Sequence, residues 1–279
     1  MDRFLLKSGV SLPVIVSRSN GEVVAASKLG MKKFRDETRS FLCEGEKLFE
    51  EAVLYGSPER VFLCEDRLAS LSGKTEEYLN RPDISERAVV LSRPAFEKIS
   101  TEKSPQGIVC TVGYPDLFDD ADGCAERALS ERGRAVILDG VRDPGNLGGI
   151  LRSAAAFGLR SAVLLSCADP FGDRAVRASM GAVFRIRIAA TQKIGELRRA
   201  LSASGRRAVA AALAENAETL GEAKLFSDDV PVIGNEGHGI SGEMLGLCSA
   251  AVRIPMAENS ESLNAGAAAA VILWEYSKA

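Results

Sequence analysis

At 279 residues, with 46% hydrophobic and 26% charged content, the chain has the makeup of an ordinary globular protein and the length for two domains, at roughly 100–200 residues each. Its longest apolar run, residues 265–274, falls short of the roughly 18 residues that a membrane helix needs, and MDRFLLKSG holds too short an apolar run for a secretory signal. Six scattered cysteines without a C-x-x-C pair, beside one histidine, argue against a zinc site or a disulfide framework, so a soluble, cytoplasmic protein with no membrane or metal partner is expected.

The net charge of −3 is unevenly spread: residues 1–39 carry +4, 40–133 carry −8, 134–207 carry +8 and 208–279 carry −7. Two basic segments on one face could hold a polyanion despite the acidic total; on separate faces they would be merely solvated.

Residues 1–113 read as a small α/β domain. A basic helix precedes the apolar run 41–43 and a second helix follows it; RVFLCED, RAVVLSRPAFEKIS and the closing strand GIVCTV come next. Lys32, Lys33, Arg35 and Arg39 cluster around Phe34, which suits phosphate contacts beside one stacking surface, although a phenylalanine so placed is commonly core. Residues 114–133, rich in acid and carrying Gly123 and Gly133, read as a linker with one short helix.

From residue 134 to 279 strands and helices alternate. AVILD is a strand, GNLGGILRSAAAFG a turn and helix, SAVLLS a strand, RAVRASMGAVF a helix, FRIRIA a strand, QKIGELRRALSASG a helix, and RAVAAAL and PVIGNE two more strands. Continuously apolar strands alternating with helices predict a parallel sheet covered on both faces.

The chemistry gathers in three turns. After the first strand, Asp143 and Pro144 break the chain, glycines allow a tight turn, and Asn146 and Arg152 stand near the start of the next helix, where a guanidinium reinforces an anion-favouring terminus. The apolar runs 230–233 and 250–254 lead into the turns 234–239 and 255–264, which in a parallel sheet lie together at the carboxyl ends of the strands. Gly234, Gly237 and Gly239 admit a ligand to the backbone, Asn235 and Glu236 place an amide and a carboxylate beside it, and Ile254, Met256 and Leu263 offer apolar contact to a flat ring. Phosphate-cradling glycine motifs are absent.

In this order DPGNLGGILRSAAAFG, IGNEGHGIS and IPMAENSESLNAGAAAAVILWEY resemble the SpoU (TrmH-like) family of RNA 2′-O-ribose methyltransferases in the SPOUT superfamily. RASMGAVFRIRI looks like an internal segment of that family, and KKFRDETRSFLCEG like the substrate-binding domain often fused ahead of it. The resemblance implies a parallel-sheet SPOUT domain with a deep trefoil knot, preceded by a small α/β RNA-binding domain, and a homodimer through the carboxyl-terminal domain whose interface completes the active site. It also implies that Asn146, Arg152, Glu236, Ser262 and Asn264 form the catalytic neighbourhood. Gly234, Ile254 and Leu263, with Met256 close by, would bind S-adenosylmethionine. Arg152 stays protonated and is a poor base, so binding a phosphate or a developing alkoxide is its expected role, and His238, between two glycines, is expected to be peripheral. The chain departs from the family pattern at Ala265 and Gly266, where larger residues usually follow SLN. It departs again at Phe171, Gly172 and Asp173, where Ser-Pro-Lys is common. Ribosomal RNA of the large subunit is the expected substrate; transfer RNA, or a non-catalytic RNA-binding role on the same fold, are the alternatives.

Overall fold

The computed structural model describes residues 3–6, 9–214, 217–257 and 262–279. They form two compact units, one of residues 1–115 with 171–184, the other of residues 116–170 with 185–279.

The first unit holds a six-stranded sheet. Its strands are β1 (Arg3–Leu5), β2 (Ser11–Ile15), β3 (Ser40–Glu44), β4 (Pro58–Cys64), β5 (Ala88–Leu91) and β6 (Ile108–Gly113), in the order β1-β2-β5-β4-β6-β3. β2, β5 and β4 run parallel, while β6 is antiparallel to β4 and to β3. The helix Gly21–Lys28 starts where the Asn20 side chain accepts the Glu22 N–H, and buries Val23 and Ala26.

Residues 171–184 pack with this unit, although they lie within the range 134–279 expected for the second domain. Phe171 stacks on Tyr114 at 4.2 Å between ring centroids and meets Phe41 at 4.8 Å, while Phe184 reaches the Phe41 ring at 5.7 Å. The expected helix 174–184 is shorter, Asp173–Ser179, because Met180 and Gly181 both turn left-handed (φ 48 and 87). Gly181 has to be glycine in both respects, since an added Cβ would lie 2.5 Å from Glu51 Cγ.

The second unit holds an eight-stranded sheet. Its strands are β7 (Phe118–Asp119), β8 (Ala135–Asp139), β9 (Ser161–Leu165), β10 (Arg187–Thr191), β11 (Ala208–Ala211), β12 (Glu218–Thr219), β13 (Val230–Ile233) and β14 (Ala250–Arg253), in the order β12-β14-β11-β13-β8-β9-β10-β7. Every described pairing in it is parallel. β8 and β9 are buried at all positions, as their unbroken apolar sequences require. Ala135 and Ile137 face a core shared with the helices Cys124–Ser130 and Ile194–Ser204, so Val136 and Leu138, equally buried, face a second covered side. The helices Pro144–Ala156 and Ala265–Ser277 pack together.

Residues 114–133 are therefore not a linker throughout. β7 pairs with β10, and the helix Cys124–Ser130 buries Cys124, Ala125, Ala128 and Leu129 in the core of the second unit. The acidic composition misled because the acids sit on the solvent side; Asp119 and Asp122, for example, hold Arg127 and Lys193.

The chain leaves β8 toward β9 and β10 on one side and returns through β11, β13 and β14 on the other. The carboxyl ends of β8 and β13 thus flank the point where the strand order reverses, the place at which open α/β sheets bind ligands.

Candidate active site

β13 delivers Gly234 to this switch point with no room for a side chain: a Cβ there would lie 2.3 Å from Gly239 C and 2.4 Å from Ile240 N. The loop closes on itself, with Asn235 N–H donating to Gly239 O (2.8 Å) and Gly239 N–H to Asn235 O (3.0 Å). The Asn235 amide donates to Gly140 O (2.7 Å), and its Oδ1 accepts the N–H groups of Gly237 (2.8 Å) and His238 (3.1 Å). Asn235, expected beside a ligand, lines the cleft described below, and its amide also pins the loop to the end of β8. The His238 ring is exposed, with Nδ1 3.4 Å from Asn235 Oδ1.

Glu236 lies at the start of the helix Pro144–Ala156. That helix is capped by Asp143, which accepts the Asn146 N–H at 2.8 Å, and it opens on Pro144, whose missing N–H costs nothing at a first position. Asn146 Nδ2 donates to Glu236 Oε1 at 2.9 Å, and Asn264 Nδ2 donates to Asn146 Oδ1 at 3.0 Å. Asn264 in turn caps the helix Ala265–Ser277, accepting from Gly266 N (3.0 Å) and Ala267 N (3.3 Å). Gly266 has a reason to be small: a Cβ would meet Asn264 Oδ1 at 3.1 Å and Asn146 Oδ1 at 3.5 Å.

Partial burial pushes the Glu236 carboxyl up. Hydrogen bonds from the Asn146 amide and from the backbone N–H groups of Glu236, Arg142 and Asp143 more than offset this and hold it below the ordinary glutamate range. A carboxylate so stabilised is a weak base at neutral pH; it is suited to tying the three turns together.

Beside this cluster a cleft of about 430 Å³ runs along the carboxyl ends of β11, β13 and β14. Gly234, Glu236, Ile254, Met256, Ser262 and Leu263 line it, on a wall completed by Ala211, Leu213 and Val252. Its apolar walls and exposed loop backbone fit a flat heterocycle with a polar tail. The contribution of β11 was missed in the sequence, although a parallel neighbour of β13 and β14 had to end at the same place. Residues 258–261 of the expected 255–264 turn lie outside the described residues.

Residues 133–274, more than half of the chain, match the model of the SpoU rRNA methylase family. The chain belongs to that family. Residues 20–110 match the MRM3-like substrate binding domain. Among curated SpoU relatives, the 23S rRNA (guanosine(2553)-2′-O)-methyltransferase RlmP of Bacillus subtilis is 29% identical, over 93% of this chain and 97% of its own. The 23S rRNA (uridine(2479)-2′-O)-methyltransferase of Streptomyces viridochromogenes is 30% identical, over 88% and 85%. An rRNA methyltransferase from Sinorhizobium meliloti, solved with AdoMet bound, superposes with a TM-score of 0.78 at 29% identity, covering 96% of this chain and 98% of that one.

Of the residues that the SpoU resemblance singles out, the structure joins Asn146, Glu236 and Asn264 by hydrogen bonds and places Ser262 with Gly234, Ile254, Met256 and Leu263 around the cleft. Arg152 is not among them. It is exposed on the helix Pro144–Ala156, does not line the cleft, and makes no hydrogen bond or ion pair among the described residues.

The basic cluster of residues 32–39 already has partners within the first unit. Lys32 is paired with Asp36 at 2.7 Å and Lys33 with Glu37 at 3.9 Å, each one turn along the helix Lys32–Thr38. Arg39, left-handed at φ 53, stacks its guanidinium 4.6 Å from the Tyr114 ring centroid. Arg35 is buried, and its Nη1 donates to Leu29 O at 2.6 Å. Arg35→Ala is therefore expected to destabilise the protein by about 1–3 kcal/mol in urea unfolding, because it strands a buried carbonyl, while RNA affinity of the folded protein is retained. Lost RNA affinity at unchanged stability would refute that role.

Proposed function

We propose that this protein is an S-adenosylmethionine-dependent RNA 2′-O-ribose methyltransferase acting on large-subunit ribosomal RNA, with the first unit gripping RNA and the second performing the transfer. The observation that carries this is the convergence of the Asn146, Glu236 and Asn264 turns beside an apolar cleft in a SpoU chain. The rRNA methyltransferase relatives, one of them solved with AdoMet, support the cofactor and the substrate class. We further propose the trefoil knot and the homodimer through the second unit. Support for the dimer comes from Trp274 and Val271, 52% and 41% exposed on the otherwise apolar helix Ala265–Ser277.

S-adenosylmethionine supplies an electrophilic methyl group with a good leaving group attached, so the protein's task is alignment and charge management. Ile254, Met256 and Leu263 would hold the cofactor's heterocycle, and the Gly234 backbone would allow close approach. The Asn146–Glu236–Asn264 chain fixes the relative position of the three turns. Arg152, always protonated, binds the phosphate beside the reacting ribose or the alkoxide as it develops, and the 2′-hydroxyl proton leaves to water. A dimer puts Arg152 to use: the exposed guanidinium of one subunit would serve the cleft of the other.

The test is transfer of labelled methyl from S-adenosylmethionine to 23S rRNA and to tRNA transcripts, with digestion to nucleosides. One 2′-O-methylated nucleoside from 23S rRNA is expected, together with calorimetric binding of the cofactor and a dimer of the 29.7 kDa chain by light scattering. Methylation of tRNA alone would overturn the substrate, a folded protein that does not bind the cofactor would overturn the activity, and a monomer at micromolar concentration would overturn the dimer.

A further inference from the structure

A second cleft opens on the other side of the Gly234–Ile240 loop. It measures about 530 Å³, within the roughly 300–1,000 Å³ of ligand pockets, and lies at the carboxyl ends of β8, β9 and β10. Asn235, His238 and Gly239 line both clefts, so a molecule in the second stands one loop away from the cofactor cleft.

The second cleft differs from the first in chemistry. Arg142, Ser166, Gln192 and Glu243 line it, and none of the four makes a side-chain hydrogen bond or ion pair among the described residues. Asp139, by contrast, is buried and already accepts the Ser241 N–H at 2.7 Å, so it serves the framework. Leu165 and Ile194 supply an apolar surface between these polar groups. Ser166 is held left-handed (φ 51), a conformation that L side chains seldom take, by donating its N–H to Thr191 O at 2.9 Å. Unspent donors and acceptors converging around an apolar patch suit a planar, polar-edged ligand.

We propose that this cleft receives the nucleobase of the target nucleotide, turned out of its stack, and that the base is guanine. This rests on the methyltransferase reading above. The ribose must reach the methyl donor across the loop that the two clefts share, which puts its base on the far side of that loop. Guanine is the base whose edges satisfy one carboxylate and one guanidinium together: its N1–H and exocyclic N2 amine donate to Glu243, while O6 and N7 accept from Arg142. Uracil lacks the paired donors, and adenine presents a donor where Arg142 needs an acceptor. Glu243 and Arg142 thus become specificity-determining residues.

The nucleotide methylated in 23S rRNA is mapped first, and short RNAs around it are made with guanosine, inosine (no N2 amine) or 7-deazaguanosine (no N7) at that position. The wild-type enzyme should prefer guanosine over each analogue by about tenfold or more in kcat/KM. Glu243→Gln should abolish the preference over inosine but keep that over 7-deazaguanosine, and Arg142→Ala should do the reverse. Both residues are exposed, and unchanged calorimetric affinity for S-adenosylmethionine shows that each variant is folded. Methylation of a nucleoside other than guanosine, or variants that keep both preferences, would overturn the base pocket while leaving the methyltransferase reading intact. A wild-type enzyme that methylates no RNA would overturn both.

Discussion

Arg152→Ala is expected to lower kcat by about a hundred- to a thousandfold with S-adenosylmethionine affinity unchanged, the cost of removing one charged donor from a developing oxyanion. The geometry adds a sharper expectation. Arg152 lies six residues beyond Asn146 on one helix, which is about 240° around the axis and about 9 Å along it, so one subunit cannot aim both side chains at one point. In the proposed dimer, Arg152 is therefore expected to act on the cleft of the partner subunit. Mixed dimers of Arg152→Ala with a subunit whose cofactor cleft is blocked should regain about half of the wild-type activity, since each such dimer holds one complete site. Single-turnover measurement on differently tagged, co-expressed subunits reads this directly. No recovery from two folded subunits would place Arg152 in its own subunit's site or in none.

Gly234→Ala supplies that blocked cleft. The new methyl group would sit 2.3–2.5 Å from backbone atoms of Gly239 and Ile240, which cannot swing away as a side chain could. Either the loop shifts or β13 does, and the cofactor cleft is lined by both. Loss of cofactor binding by at least about a hundredfold is expected, with about 1–3 kcal/mol of destabilisation from overpacking. Gly237→Ala in the same loop is the control, because its Cβ would meet only Asn235 Oδ1, at an ordinary 3.5 Å. If Gly234→Ala binds S-adenosylmethionine as well as Gly237→Ala does, the close approach of the two loop strands does not shape the site.

Much of the second unit could be read from the chain because its signals are local. β8 and β9 are continuous apolar runs bounded by Asp139, Gly158 and Ser166, and both lie where the sequence places them. The Pro144 start of the helix that follows β8 is equally local. The first unit was legible in its strands but not in its charges. KKFRDET reads as a basic patch until it becomes a helix, whereupon Lys32 and Lys33 find Asp36 and Glu37 one turn away and Arg35 points inward.

Residues 171–184 show the same limit at larger scale. Nothing in FGDRAVRASMGAVF marks it as part of another unit; its place follows from the apolar surface that Phe41 and Tyr114 leave for Phe171 and Phe184 to cover.

From its own residues the chain determined the alternation of strands and helices, the parallel sheet and the three glycine- or asparagine-bearing turns, since hydrophobic period and backbone breaks act between near neighbours. Only tertiary structure decided that Asn146 should meet Glu236, 90 residues away, and Asn264, 118 residues away. It alone also turned Arg152 away from them and opened a second polar cleft behind their loop. Strand order and the direction of each polar side chain depend on which surfaces exclude water together, and that is a property of the packed molecule.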